Sequence, residues 1–200
     1  MKLTSLEIAG ILSTVYAILV VVGYFPGLKS IIKEKHLTGV NSSFWYLVNT
    51  TVGISFYNLF ILQEHIFQIC AVGINLLLGL LCLFIVNYKK QHVQGLVYTL
   101  VFILVLGAFV VWLHQYPQVS QNVATVSIIL AYIGQVFTFC NNKTSSGTNK
   151  WLYLLIGLGL SLLIISMILT NTYTPIVITE LVNFVLIMVC YFQSNYYSKE

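Results

Sequence analysis

Arginine is absent from this chain of 200 residues, and charged side chains of any kind make up only 7% of it. An ordinary soluble domain carries roughly 25% charged residues, so a water-soluble globule is excluded. The nine cations are all lysines, scattered singly or in pairs, which leaves no basic patch able to track a nucleic-acid backbone. The four cysteines, Cys70, Cys82, Cys140 and Cys190, lack CxxC spacing, so neither a metal site nor a disulfide framework is expected. GxSxG, HExxH and P-loop patterns are missing, which removes the signals for a serine hydrolase, a zinc peptidase and a nucleotide-driven pump. None of His36, His65, His92 and His114 has a partner at metal-ligand or catalytic spacing. No lysine lies in the last apolar run, which argues against a retinal-type Schiff base. The chain is therefore read as a non-enzyme without cofactor or metal.

What fills the sequence is apolar. Hydrophobic residues reach 58% and the mean hydropathy is +0.92. A membrane-crossing helix needs roughly 20 mostly apolar residues, and seven such runs are present, near 7–25, 44–62, 66–86, 95–113, 122–140, 151–170 and 175–194. They leave almost no soluble mass. Lys29, Lys33, Lys35, Lys89, Lys90, Lys143, Lys150 and Lys199 fall on one side of these runs and Lys2 on the other. The positive-inside rule then puts the N-terminus outside and the C-terminus in the cytoplasm, in a multi-pass protein of the cell membrane. Trp45, Trp112 and Trp151 lie near run ends and read as interfacial belt residues.

The chain also repeats itself. At a fixed offset of 108, Asn75/Asn183, Leu78/Leu186, Cys82/Cys190, Phe84/Phe192, Asn87/Asn195 and Tyr88/Tyr196 are identical, as are Tyr24/Tyr132, Lys35/Lys143, Gly39/Gly147 and Asn41/Asn149. The stretch from Met1 to Gly27 could be mistaken for a cleaved signal peptide. Cleavage would leave one copy incomplete, so the first helix is expected to stay. Each copy has three helices, and the run near 95–113 has no counterpart. An odd linker lets two three-helix units lie in the same orientation, an arrangement known for parallel-repeat transporters. The expected fold is all-α: two parallel three-helix bundles, 1–90 and 119–200, joined by a linker helix within 91–118, seven crossings in a three-plus-one-plus-three order.

The segment from Tyr24 through Pro26, Gly27 and Lys29, followed by Lys35, Thr38-Gly39-Val40-Asn41 and Trp45, resembles the PQ-loop signature of SWEET sugar transporters and their relatives. Its second copy runs through Gly134-Gln135, Lys143, Gly147, Asn149 and Trp151, so each copy keeps one half of the Pro-Gln pair. The resemblance covers essentially the whole chain and implies a carrier working by alternating access.

Asn75 and Asn183 lie eight or nine residues into their runs, near the membrane midplane. An amide offers two donors and acceptor lone pairs, which suits the hydroxyl, carboxylate or amide groups of a small polar solute. Structural glue between helices is the alternative for a single amide; for a matched pair a shared pocket is favoured, and in the proteins this chain resembles the equivalent pair lines the substrate cavity. Pro26 removes a backbone donor near the end of the first helix, which either kinks it as a hinge or ends it. The resemblance favours hinges at Pro26, Gly134 and Gln135. Glu180 is the sole carboxylate inside a run and a candidate for proton coupling, although its place about a turn and a half from the outer end favours a hydrated side chain. SWEET-like carriers commonly set an aromatic ring of the second helix against the midplane amide, and Phe56 and Tyr57 are the candidate substitutes here. Gly53, Gly157 and Gly159 read as close-packing positions.

The resulting expectation is a facilitative carrier of a small polar solute, with a sugar as the favoured class. A proton-coupled amino-acid or metabolite carrier and a non-transporting receptor of the same fold are the alternatives. The bilayer is its other partner, and a homo-oligomer is compatible with the sequence.

Overall fold

The computed structural model describes residues 4–113 and 115–198. Lys2 and Lys199, to which the sequence assigns sides of the membrane, and His114 lie outside the described residues. Regular structure among the described residues is helical throughout: α1 (Ser5–Lys33), α2 (Ser42–Ile61), α3 (Ile66–Leu113), α4 (Pro117–Asn142), α5 (Lys150–Leu169) and α6 (Thr174–Tyr197). Five of the six are long and apolar enough to cross a membrane. The exception is α2, whose hydropathy is diluted by the buried polar residues Asn49, Thr51, Ser55 and Asn58.

Element boundaries recur at the same offset of 108. Asn41 caps α2 by accepting from Ser43 N at 2.8 Å, and Asn149 caps α5 by accepting from Trp151 N at 2.9 Å. An Asn side chain at this position satisfies a backbone donor left over at a helix start. Both helices run for 20 residues. Both are followed by a residue in the left-handed region, Gln63 and Asn171, each with φ 52°.

As a straight rod the 48 residues of α3 would measure about 72 Å, more than twice a hydrocarbon core of about 30 Å. It is not straight. His92 has non-helical angles, φ 51° and ψ −131°, and the chain doubles back there. Asn87 Nδ2 donates to Thr99 Oγ1 at 2.8 Å, although unbroken helix would separate the two by about 18 Å. The reversal needs glycine at position 95, because a Cβ there would sit 2.2 Å from the Asn87 carbonyl oxygen. The two arms of α3 are therefore separate rods, before and after His92.

Packing follows the same doubled plan. α1 lies against α5 and α2 against α4, while the first arm of α3 and α6 each pack on the two helices preceding them in sequence. One contact is resolved differently on the two sides. Tyr16 fits over Gly159, where an added Cβ would meet its ring at 2.9 Å. The positions related to these by the offset of 108 hold Ala124 and Thr51, and there Thr51 Oγ1 donates to the Ala124 carbonyl at 2.9 Å. A large and a small residue are exchanged across two equivalent crossings. α1 continues unbroken past Pro26 to Lys33, so Pro26 does not end the helix; it leaves one carbonyl a turn earlier without its helical donor.

Candidate functional site

Asn75 on α3 and Asn183 on α6 are both buried, and both border one central cavity between the two helix sets. Each amide is held by the same bond in its own set. Tyr24 Oη donates to Asn75 Oδ1 at 3.0 Å, and Tyr132 Oη donates to Asn183 Oδ1 at 3.1 Å. The tyrosines and asparagines all obey the offset of 108. The remaining partner differs: Asn75 Nδ2 donates to Tyr16 Oη at 3.0 Å, whereas Asn183 Nδ2 donates to Glu180 Oε2 at 3.1 Å. An amide has two donor hydrogens and two acceptor lone pairs, so each asparagine keeps capacity for a further ligand after these bonds. The cavity measures about 30 Å³, room for about two water molecules. A solute larger than this does not fit the cavity in this conformation.

Glu180 corrects a sequence expectation. Only 4% of its surface is exposed, so the hydrated side chain expected near the outer end is not what folds. The carboxyl is covered because α6 turns this face onto α2 and α4, where Ser55 also bonds it.

Trp45 is corrected as well. Its indole is 4% exposed and borders the cavity, whereas Trp112 and Trp151 are 72% and 52% exposed, as belt residues would be. The cause is the face it occupies: Trp45, Val48 and Val52 fall on one stripe of α2, directed at the cavity. Phe56 and Tyr57, the sequence candidates for this role, line a different groove on the α3 side of α2, with Leu76, Ile103 and Leu106. The counterpart of Trp45 in the second copy is Tyr153, which borders the cavity too. The signal for this aromatic pair lies in the repeat, where the offset relates residues of similar type as well as identical ones.

Gly134 and Gln135 lie inside a continuous α4 and grip the loop of the opposite half. Gln135 Nε2 donates to the Gly39 carbonyl at 2.7 Å, Asn41 N donates to Gln135 Oε1 at 3.1 Å, and Asn41 Nδ2 donates to the Gly134 carbonyl at 3.0 Å. Gly39 N donates to the Ser146 carbonyl at 3.0 Å, and a Cβ at Gly39 would stand 2.6 Å from that oxygen. The two lysine-bearing loops thus close one end of the molecule. In that loop region Lys90 donates to the Val40 carbonyl at 2.7 Å, and partial desolvation holds its ammonium below the usual lysine range.

The opposite end is sealed by two polar seams. Ser13 and Ser166 hydroxyls lie 2.8 Å apart between α1 and α5. At the positions offset by 108, Asn58 Nδ2 donates to Gln121 Oε1 at 2.8 Å between α2 and α4.

No protein-family model matches the chain, and no curated protein matches it in sequence. Among solved structures, a eukaryotic SWEET transporter superposes with a TM-score of 0.62 over 98% of this chain and 98% of that one, at 13% identity. The chain thus has a SWEET-like, all-helical membrane fold.

Proposed function

We propose that this protein is an alternating-access carrier for a small polar solute, with a sugar as the favoured class, and that Asn75 and Asn183 bind it. The observation that carries the reading is the doubled Tyr–Asn bond, at 3.0 and 3.1 Å, on opposite walls of one cavity. Structural glue between helices needs no repetition across a shared void, whereas a solute gripped from both halves does. The structural likeness to a SWEET transporter supports the same reading.

In this proposal the chain crosses the bilayer seven times: α1, α2 and the first arm of α3 form one unit, the second arm is the linker, and α4, α5 and α6 form the other. The unit boundaries follow the sequence expectation, 1–90 and 119–200 around a linker within 91–118. The lysine-rich end faces the cytoplasm and the N-terminus lies outside, which agrees with the excess of lysine in the 29–35, 89–90 and 143–150 segments. Access alternates between the loop closure around Gln135 at one end and the Ser13–Ser166 and Asn58–Gln121 seams at the other. Pro26 and the Gly134–Gln135 pair let α1 and α4 flex as these closures exchange.

Counterflow of labelled monosaccharides in proteoliposomes tests the reading. Accumulation of label against a solute preload is expected; binding without counterflow would make the protein a receptor of the same fold.

One observation favours a second reading, proton-linked transport. Glu180 is buried against Asn183 with no lysine or histidine beside it among the described residues; the titratable groups nearest it are Tyr16 on α1 and Tyr132 on α4. A carboxyl confined to a membrane interior without a cation partner is a default proton site. Flux that changes with pH in the native protein and not in Glu180→Gln supports this reading; identical pH profiles reject it.

A further inference from the structure

Glu180 is tied to the end of the molecule opposite the lysines by an unbroken run of side-chain hydrogen bonds. Asn58 Nδ2 donates to Gln121 Oε1 at 2.8 Å, Gln121 Nε2 donates to Ser55 Oγ at 3.2 Å, and Ser55 bonds the Glu180 carboxyl. Gln121 Nε2 also donates to Thr179 Oγ1 at 2.8 Å. These residues are all buried. The other half does without them. At the offset of 108, Ser55, Thr179 and Glu180 are matched by Leu163, Ala71 and Val72, all three in the apolar core. Packing therefore has no need of polar groups at these positions, and such groups are costly inside a membrane.

The two covers over the carboxyl are mounted differently. Toward the central cavity, Asn183 Nδ2 bonds it from three residues along the same helix, so that cover travels with Glu180 and stays in every state. Toward the far end the cover spans both units. Ser55 lies on α2, whereas Gln121 and Glu180 lie on α4 and α6, so parting of the Asn58–Gln121 seam breaks both bonds of Ser55. An amide N–H does not hand on a proton, so with the seam shut neither cover passes one.

We infer that Glu180 is a proton sensor for the end opposite the lysines: it exchanges its proton with that side alone, while the Asn58–Gln121 seam is open, and no proton crosses with the solute. This rests on the proton-linked reading above and makes the proton a one-sided regulator of the carrier. Closing the seam over an ionised carboxyl buries a charge that has no cation partner, so protonation favours closure and flux rises as the pH on that side falls. The titratable groups acting on the carboxyl are Tyr16 from α1 and Tyr132 from α4; among the described residues α2 and α5 bring none.

The test follows the Glu180 carboxyl by infrared difference spectroscopy after a drop in pH, with Glu180→Gln identifying its band. The full chain is used, with the exposed Cys70 and Cys140 replaced by serine. The Ser13 and Ser166 hydroxyls lie 2.8 Å apart, so Ser13→Cys/Ser166→Cys can be oxidised to lock that end shut. Asn41→Cys/Thr138→Cys locks the lysine-rich end, where Asn41 Nδ2 and Thr138 Oγ1 meet at 3.2 Å. The first lock is expected to slow appearance of the protonated band at least about tenfold relative to the reduced protein, and the second to leave it at the native rate. Separately, a pH-sensitive dye inside proteoliposomes should record no proton entry while a monosaccharide that shows counterflow is taken up. A first lock without effect, a second lock that slows the band, or protons entering with the solute overturns the sensor and leaves the proton-linked reading standing. A native protein whose Glu180 band does not respond to pH overturns both.

Discussion

The two halves of the molecule hold their central asparagines alike and brace them differently. In each half a tyrosine hydroxyl, Tyr24 or Tyr132, binds the amide oxygen from the lysine-rich side. On the other side Asn75 rests on a phenol from α1, Tyr16, and Asn183 rests on a carboxyl from its own helix, Glu180. The residues at the swapped positions are Ala124 and Val72, which offer no hydrogen-bonding side chain. The Tyr–Asn bond at the cavity is thus the same in both halves, while the supports behind it differ. An amide needs an acceptor for its N–H, and that acceptor can come from a neighbouring helix or from its own. The consequence is chemical: one half of the site is neutral and the other carries a buried carboxyl.

Removing the shared element should have the largest effect. Asn75→Ala and Asn183→Ala each remove the proposed solute contact and leave a tyrosine hydroxyl unpaired, and uptake is expected to fall at least about a hundredfold, the equivalent of about 2.7 kcal/mol. Helical content and membrane insertion should be retained, as judged by circular dichroism and detergent-solubilised yield.

The unequal supports come next. Glu180→Val copies the first half's Val72 without supplying the Tyr16 that accompanies it, so Asn183 loses its acceptor and flux should drop about tenfold. Adding Ala124→Tyr restores an acceptor, but Thr51 occupies the space that Gly159 leaves for Tyr16, so rescue needs Thr51→Gly as well. A triple variant that recovers flux would establish that the supports are interchangeable; one no better than Glu180→Val would show that the carboxyl has a role of its own.

Loop closure is also unequal, because Gln135 grips the 39–41 loop while Gly27, its counterpart, has no side chain to grip with. Gln135→Ala should weaken closure of the lysine-rich end by about 1–3 kcal/mol. Faster reaction of a thiol reagent with a cysteine placed at Leu152, read by mass spectrometry, measures it. The smallest effect is expected at Pro26. Restoring the helical donor with Pro26→Ala should stiffen α1 and slow turnover about two- to threefold at unchanged KM. Native turnover would remove Pro26 as a hinge.

The repeat makes much of this legible in advance. Identity at one offset locates the asparagines, their tyrosines and the paired caps, because those positions are constrained by the same local geometry in both halves. The sequence also marks the break between the arms of α3, since lysines and polar residues from 87 to 94 interrupt the apolar run. Three things stay hidden. For Glu180, distance from the helix end points to hydration, whereas burial is set by which face α6 turns toward α2 and α4. For Trp45, a place near a run end points to the interface, yet the α2 stripe that includes Val48 and Val52 directs it inward. For Gln135, the family resemblance suggests a hinge within α4, and its bonds to Gly39 and Asn41 come from a loop in the other half that no local pattern reports.

The central claim, that one solute pathway is shared by both asparagines, is tested most directly by solute protection of thiols at the two positions. Asn75→Cys and Asn183→Cys would be made separately after replacing the exposed Cys70 and Cys140 with serine, and treated with a small water-soluble thiol reagent beside the unsubstituted background. Both should react above background, and the same monosaccharide should slow both reactions over the same concentration range. Reaction at only one position, or at both with no protection by any solute that moves in counterflow, would contradict the account.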